Sequence, residues 1–228
     1  LDVSKMEAGK LDLKREEVNF NDLIQHVASS FEASFREKGL ELRLNVPADK
    51  INIYIDADRI IQVLTNLIGN ALKFTEKGFV EISILDKDKD IQCEVADTGV
   101  GIVKEDIPKL FSKFQQFGRM VGSGEKGTGL GLAISKEIIE MHQGKIWAES
   151  EIAQSLTNQV GKVTKFIFLL PKYTLETIYR EYVHSAMREA IKKNSKMSLI
   201  VVSMEELTSL KASFSQEKVA LILRDMET

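Results

Sequence analysis

The sequence predicts an α/β (α+β) fold, a two-layer sandwich with a mixed sheet packed on helices, and three observations predict it. Leu40, Leu42, Leu44 and Val46 alternate strictly, as do Ile51, Ile53 and Ile55, which is the period-two pattern of half-buried strands. Between positions 59 and 74 the apolar residues recur instead at spacings of three and four, the pattern of a helix lying on a sheet. Strand-like runs at 79–85 and 91–96 are joined by a charged turn at 86–90, a hairpin link foreign to a doubly wound parallel sheet.

Taken in order, residues 1–8 read as the end of a helix stopped by Gly9. A helix with Asn21 as its N-cap follows, with Leu23, Ile24, Val27, Ala28, Phe31 and Phe35 as its stripe and Gly39 as its stop. Pro47 ends the first strand. A helix over roughly 57–74 turns Ile60, Ile61, Leu64, Leu67, Ile68, Ala71 and Leu72 toward the sheet. After the hairpin comes a short helix with Pro108 in its first turn. A glycine-rich loop then leads to a helix from about 129 to 142 and to strands near 145–149 and 163–170.

Composition sets bounds on function. The net charge of −3 supplies no electrostatic reason to expect nucleic acid. No run of eighteen apolar residues occurs, so no membrane-spanning helix is expected. The start, LDVSKMEAGK, lacks signal-peptide architecture and an initiator Met, and reads as a piece of a longer protein. The lone Cys93 excludes an internal disulfide, fits a reducing compartment, and alternates with Ile91 and Val95 as a core residue.

Three motifs carry the chemistry. On the helix at 59–74, Asn66, Asn70 and Lys73 gather opposite the apolar arc, with Phe74 at its edge. An Asn oxygen is a hard neutral donor for Mg²⁺, and Lys supplies a point charge for phosphate. Asp97 ends a strand just before Thr98, Gly99, Val100, Gly101 and Ile102. A carboxylate there can accept from an exocyclic amine while glycines admit a flat base, which favours adenine over guanine. Gly127, Thr128, Gly129, Leu130, Gly131 and Leu132 run into the next helix, where backbone amides suit phosphate. Eight of fourteen glycines fall between 99 and 131, a cluster that a ligand loop can use and a packed core cannot. The spacing matches neither the dinucleotide fingerprint nor the Walker motif.

Residues from about 21 to 171 resemble the catalytic ATP-binding domain of bacterial sensor histidine kinases, in the GHKL (Bergerat-fold) superfamily shared with gyrase, Hsp90 and MutL. NLIGNALKFT resembles the N box, DTGVGI and GTGLGLAIS the two glycine boxes, and LFSKF (110–114) the F box. LDVSKMEAGKL resembles the sequence leaving the dimerisation and histidine-phosphotransfer helix, so 1–20 is expected to be the end of that helix and a linker. The resemblance implies ATP and Mg²⁺ as ligands, with Asn70 holding the metal beside Asn66, Lys73 on phosphate and Asp97 on adenine N6. It further implies a lid from about 115 to 126, with Arg119 and Lys126 as phosphate contacts, rooted by Phe111 and Phe114.

Three features refine that expectation. ATPases of this superfamily place a water-activating glutamate where this chain has Asn66, and a carboxamide takes no proton at neutral pH. The resemblance therefore implies a kinase that passes phosphate to a histidine of its own phosphotransfer domain. A response-regulator receiver domain is the onward partner. The parent is expected to be a homodimer, with this domain cytoplasmic and membrane anchoring left open. An autonomous ATPase and a nucleotide-sensing module remain as alternatives. No H-E-x-x-[TS]-P string occurs, and His26, His142 and His184 read as structural or solvent-facing. The insert IAQSLTNQVGKV is longer than the family's usual Gly-Ser turn and leaves the pairing across 152–163 open. Residues 172–228 form a separate extension, with an apolar stripe from 175 to 191 and two strand-like runs at 199–202 and 219–223.

Overall fold

The computed structural model describes residues 13–115, 129–154 and 160–172, with scattered positions between 183 and 196. The chain divides into two compact units, Leu1–Tyr173 and Thr174–Thr228. In the second unit Val183 and Ala190 are helical and half-buried, whereas Ala186, Met187 and Ile191 are exposed. The remainder of the stripe and both strand-like runs lie outside the described residues, as do positions 1–12.

The first unit runs β1 (Glu16–Asn19), α1 (Phe20–Lys38), β2 (Glu41–Asn45), β3 (Asn52–Ile55) and α2 (Ala57–Phe74). It continues through β4 (Phe79–Asp86), β5 (Asp90–Asp97), a 3₁₀ turn (Ile107–Lys109), α3 (Gly131–Met141), β6 (Lys145–Gln154) and β7 (Val160–Pro171). Five strands form a mixed sheet in the order β2-β4-β5-β7-β6, with β2 parallel to β4 and every other pair antiparallel. The helices cover one face of it, so the two-layer sandwich holds. Val80, Ile82 and Ile84, then Ile91, Cys93 and Val95, then Phe166, Phe168 and Leu170 alternate onto that face and meet Ile60, Leu64, Leu67 and Ile68 of α2. Burial pushes the Cys93 thiol far above its ordinary range, which keeps it an inert core group.

Three local expectations are corrected. The N-cap of α1 is Asn19, whose side chain accepts from the Asn21 and Asp22 amides. Asn21 is buried and spends its amide on the Pro47 and Asp49 carbonyls, at 2.8 and 2.9 Å. The helix begins one residue before Asn21 because Phe20 must be buried. Part of the expected linker is the strand β1, which pairs antiparallel with β3 away from the main sheet. EEVN is short and polar, so no alternation announced it. Leu44, expected half-buried, is 46% exposed, because β2 is an edge strand. The insert after Glu151 extends the hairpin: β6 and β7 stay in register out to Gln154 and Val160.

One buried histidine ties the end of α3 to the start of α2. His142, at the end of α3, accepts from the Asp56 amide through Nε2 at 3.1 Å, and Nδ1 lies 2.8 Å from the Ile138 carbonyl. These contacts require the neutral Nδ1–H tautomer, and burial holds the ring below the ordinary imidazole range. Asp56 caps α2 through the Arg59 amide and also receives the Lys14 amide, while Arg15 donates to the Met141 carbonyl at 2.9 Å. Of the two readings open to it, structural or solvent-facing, His142 is buried and takes the first. His26 is exposed on α1, and His184 lies outside the described residues.

Candidate functional site

Helix α2 sets the first wall. Its apolar arc holds Ile60, Val63, Leu64, Leu67, Ile68 and Ala71 in the core, which turns Asn66 and Asn70 half outward and exposes Lys73 and Phe74. The Asn66 amide donates to Ser135 Oγ of α3 at 2.9 Å, and Ser135 is only 1% exposed. Gly131 opens α3 against the same side chain, since a Cβ there would stand 2.2 Å from Asn66 Oδ1. The Lys73 ammonium lies 5.5 Å from the centre of the Phe74 ring. Lys38 donates to the Leu72 and Lys73 carbonyls, placing a cation at the negative end of α2.

The end of β5 makes the second wall. Asp97 is 4% exposed and accepts from the Gly99 amide at 2.9 Å. Burial is the largest influence on its carboxyl and pushes it up to about 6, against the opposing pull of the Gly99 amide and the nearby Thr75 hydroxyl. Thr75 Oγ1 is buried, lies close enough to favour the carboxylate, and makes no full hydrogen bond. Asp97 therefore remains ionised at neutral pH and presents an acceptor. Gly99 packs under the end of α2, where a Cβ would come within 2.4 Å of the Phe74 carbonyl oxygen. The chain then turns through Gly101 at a φ of 75° and is fastened at Ile102, whose amide donates to Ser150 Oγ at 2.9 Å.

The third wall is the entry to α3. Gly129, at a φ of 69°, accepts from the Phe114 amide at 3.0 Å, and a Cβ there would press on the Gln115 carbonyl at 2.9 Å. Leu130 occupies the cap position, Gly131 and Leu132 begin the helix, and no side chain caps their amides. The F-box phenylalanines divide. Phe111 packs edge-on against Phe166 with ring centres 6.4 Å apart, but Phe114 is 72% exposed and anchors through its backbone, not its ring. Arg119, Lys126, Gly127 and Thr128, and all of the expected lid beyond Gln115, lie outside the described residues.

The structure thus brings Asn66, Asn70, Lys73, Phe74, Asp97, Gly99, Gly101, Ile102, Gly129, Leu130, Gly131 and Leu132 onto α2, the end of β5 and the start of α3. Sequence reasoning missed Ser135, Thr75 and Ser150. Each is a small hydroxyl without a spacing signal, and only its partner marks it. The chain matches the family of histidine kinase-, DNA gyrase B- and HSP90-like ATPases over residues 55–174. That match spans more than half of the chain and contains every site residue just named.

The chain belongs to that family. Within it, the likeness of this histidine kinase-like ATPase domain is to the catalytic ATP-binding domains of sensor histidine kinases. Hybrid signal transduction histidine kinase L of Dictyostelium discoideum is 42% identical over 175 residues, 73% of this chain and 10% of that protein. Full-length ShkA in complex with AMPPNP superposes at a TM-score of 0.64 with 29% identity, covering 75% of this chain and 34% of ShkA. Histidine kinase ThkA in complex with response regulator protein TrrA gives a TM-score of 0.59 with 30% identity, covering 75% of this chain and 46% of that one. The chain spans only about a tenth of the length of the Dictyostelium relative. Among the described residues no helix is long and apolar enough to cross a membrane.

Proposed function

We propose that this domain binds Mg²⁺–ATP and delivers the γ-phosphate to a histidine carried by the phosphotransfer domain of its parent protein. The observation that carries the reading is Asn66. A hydrolytic enzyme needs a base beside the attacking water, worth about 10²–10⁴-fold in rate. The carboxamide at this position cannot act as one, and it is held by Ser135 and backed by Gly131. The geometry suits holding ATP intact until another nucleophile arrives.

In this reading the Asp97 carboxylate accepts from the adenine amino group, and Gly99, Gly101 and Ile102 form the turn against which the base lies. Asn70 offers one neutral oxygen, which fits a Mg²⁺ held otherwise by phosphates and water. The metal would neutralise phosphate charge as the terminal group leaves. Lys73 supplies positive charge on the same face. Phe74 borders the base. The amides from Gly127 through Leu132, with Thr128 among them, take phosphate at the start of α3, and Arg119 and Lys126 reach it from the lid. The AMPPNP carried by ShkA and the response regulator bound by ThkA support a nucleotide and a receiver domain as ligands here. The domain would work on the cytoplasmic side, within a homodimeric parent.

Incubating the chain with γ-labelled ATP, alone and with the parent's phosphotransfer domain, tests the proposal. Acid-labile label should appear on the added domain only, with slow phosphate release. Rapid phosphate release by the chain alone, with no labelled protein, would overturn it in favour of an ATPase.

A further inference from the structure

Asp97, Thr164 and Ser150 stand directly opposite one another across β5, β7 and β6, in a single row. Side chains opposite one another in antiparallel pairs share a face, and the same face carries Val95, Phe166 and Ala148 one step along, all in the core. The row is therefore where the hydrophobic core gives way to polar groups, at the foot of the Gly99–Ile102 turn. Thr164 is 3% exposed, and its hydroxyl lies 3.2 Å from Ser150 Oγ. Ser150 Oγ in turn accepts from the Ile102 amide at 2.9 Å.

We infer that Ser150 is a positioning residue for the base site, fixing the glycine turn through the Ile102 amide. The inference rests on the reading that this turn receives the adenine. Gly101 sits in the left-handed region, and glycine lets the chain on its amino side swing freely. Two attachments oppose that freedom. The Ile102 side chain packs against the core, and its amide is tied to β6. Packing alone restrains the position of Ile102 but leaves its peptide plane free to rotate, because apolar contact has no direction. The hydrogen bond has a direction, so it orients the peptide joining Gly101 to Ile102 and thus the backbone surface facing the base. The Thr164 hydroxyl keeps Ser150 in the required rotamer.

Ser150→Ala removes the acceptor and leaves the packing of Ile102 intact, and Ser150→Thr restores a hydroxyl at the same place. Amide hydrogen exchange at Ile102 in the nucleotide-free chain reads the bond directly. Calorimetry with Mg²⁺–ATP and Mg²⁺–GTP reads its effect on the base. Ser150→Ala should speed exchange at Ile102 and weaken ATP about tenfold, the loss of one hydrogen bond's worth of order. It should narrow the preference for ATP over GTP and leave the thermal midpoint within a few degrees. Ser150→Thr should recover both readouts. Wild-type chain that fails to bind Mg²⁺–ATP would overturn the nucleotide reading and this assignment with it. Wild-type binding with undiminished affinity in Ser150→Ala, or unchanged exchange at Ile102, would overturn the Ser150 assignment alone.

Discussion

Burial of Asp97 raises its carboxyl from 3.8 to about 6, so the folded protein holds this proton more tightly than the unfolded chain does. The sign follows from linkage. Stability from this group is complete below about pH 4 and is lost as pH rises through about 6. The full loss, near neutrality, is on the order of 3 kcal/mol. A group that weakens the fold at working pH is what a ligand acceptor looks like, because the compensating donor arrives with the base. Asp97→Asn should therefore be more stable than the parent at pH 7 and nearly equal to it at pH 4, measured by urea denaturation at both. The same variant should bind Mg²⁺–ATP about tenfold to a hundredfold more weakly by calorimetry, having lost a charge-assisted hydrogen bond of roughly 1.5–3 kcal/mol. A variant that loses stability and keeps its affinity would mean that Asp97 serves the fold and not the base.

At the scale of elements, the junction of α2 with α3 decides where the Asn66 side chain is held. Gly131 begins α3, where alanine would favour the helix by up to about 1 kcal/mol. Its Cβ would nevertheless meet the Asn66 carboxamide at 2.2 Å. The obstacle is the end of a flexible side chain, so the fold can yield cheaply by letting Asn66 swing away from Ser135. Gly131→Ala is thus expected to keep its thermal midpoint within a few degrees while losing tenfold or more in Mg²⁺–ATP affinity by calorimetry. Gly99 differs, because the Phe74 carbonyl that a Cβ would strike belongs to the backbone. The two glycines separate a glycine kept for the site's side chains from one kept for the path of the chain.

Across the whole molecule, the core, both boundary helices of the site and the five-stranded sheet lie within Leu1–Tyr173. A chain ending at Tyr173 should then unfold in one cooperative transition and bind Mg²⁺–ATP as tightly as the full chain. Circular dichroism on heating and calorimetry check both expectations. Loss of cooperative folding in the shortened chain would mean that the C-terminal residues complete the core. Retained folding with altered affinity would give those residues a part in nucleotide binding.

The sequence by itself determined the fold class, the order of the elements from α1 onward and which polar residues of α2 face away from the core. Those features are written locally. Alternation of period two marks the strands, spacings of three and four place Asn66, Asn70 and Lys73 opposite the core stripe of α2, and paired glycines mark the turns. The kinase reading came from four motifs in order together with the carboxamide at position 66, and needed no coordinates. Only the tertiary structure decided the partners of the small polar groups. Ser135 reaches Asn66 across 69 residues, Ser150 reaches Ile102 across 48, and His142 reaches the Asp56 amide across 86. A hydroxyl or an imidazole has no periodicity, and its role follows from which distant backbone group it meets once the core has closed. The same reason moved the cap of α1 from Asn21 to Asn19. Two asparagines offer equal capping chemistry, and the burial of Phe20 between them chose which one would face the helix end.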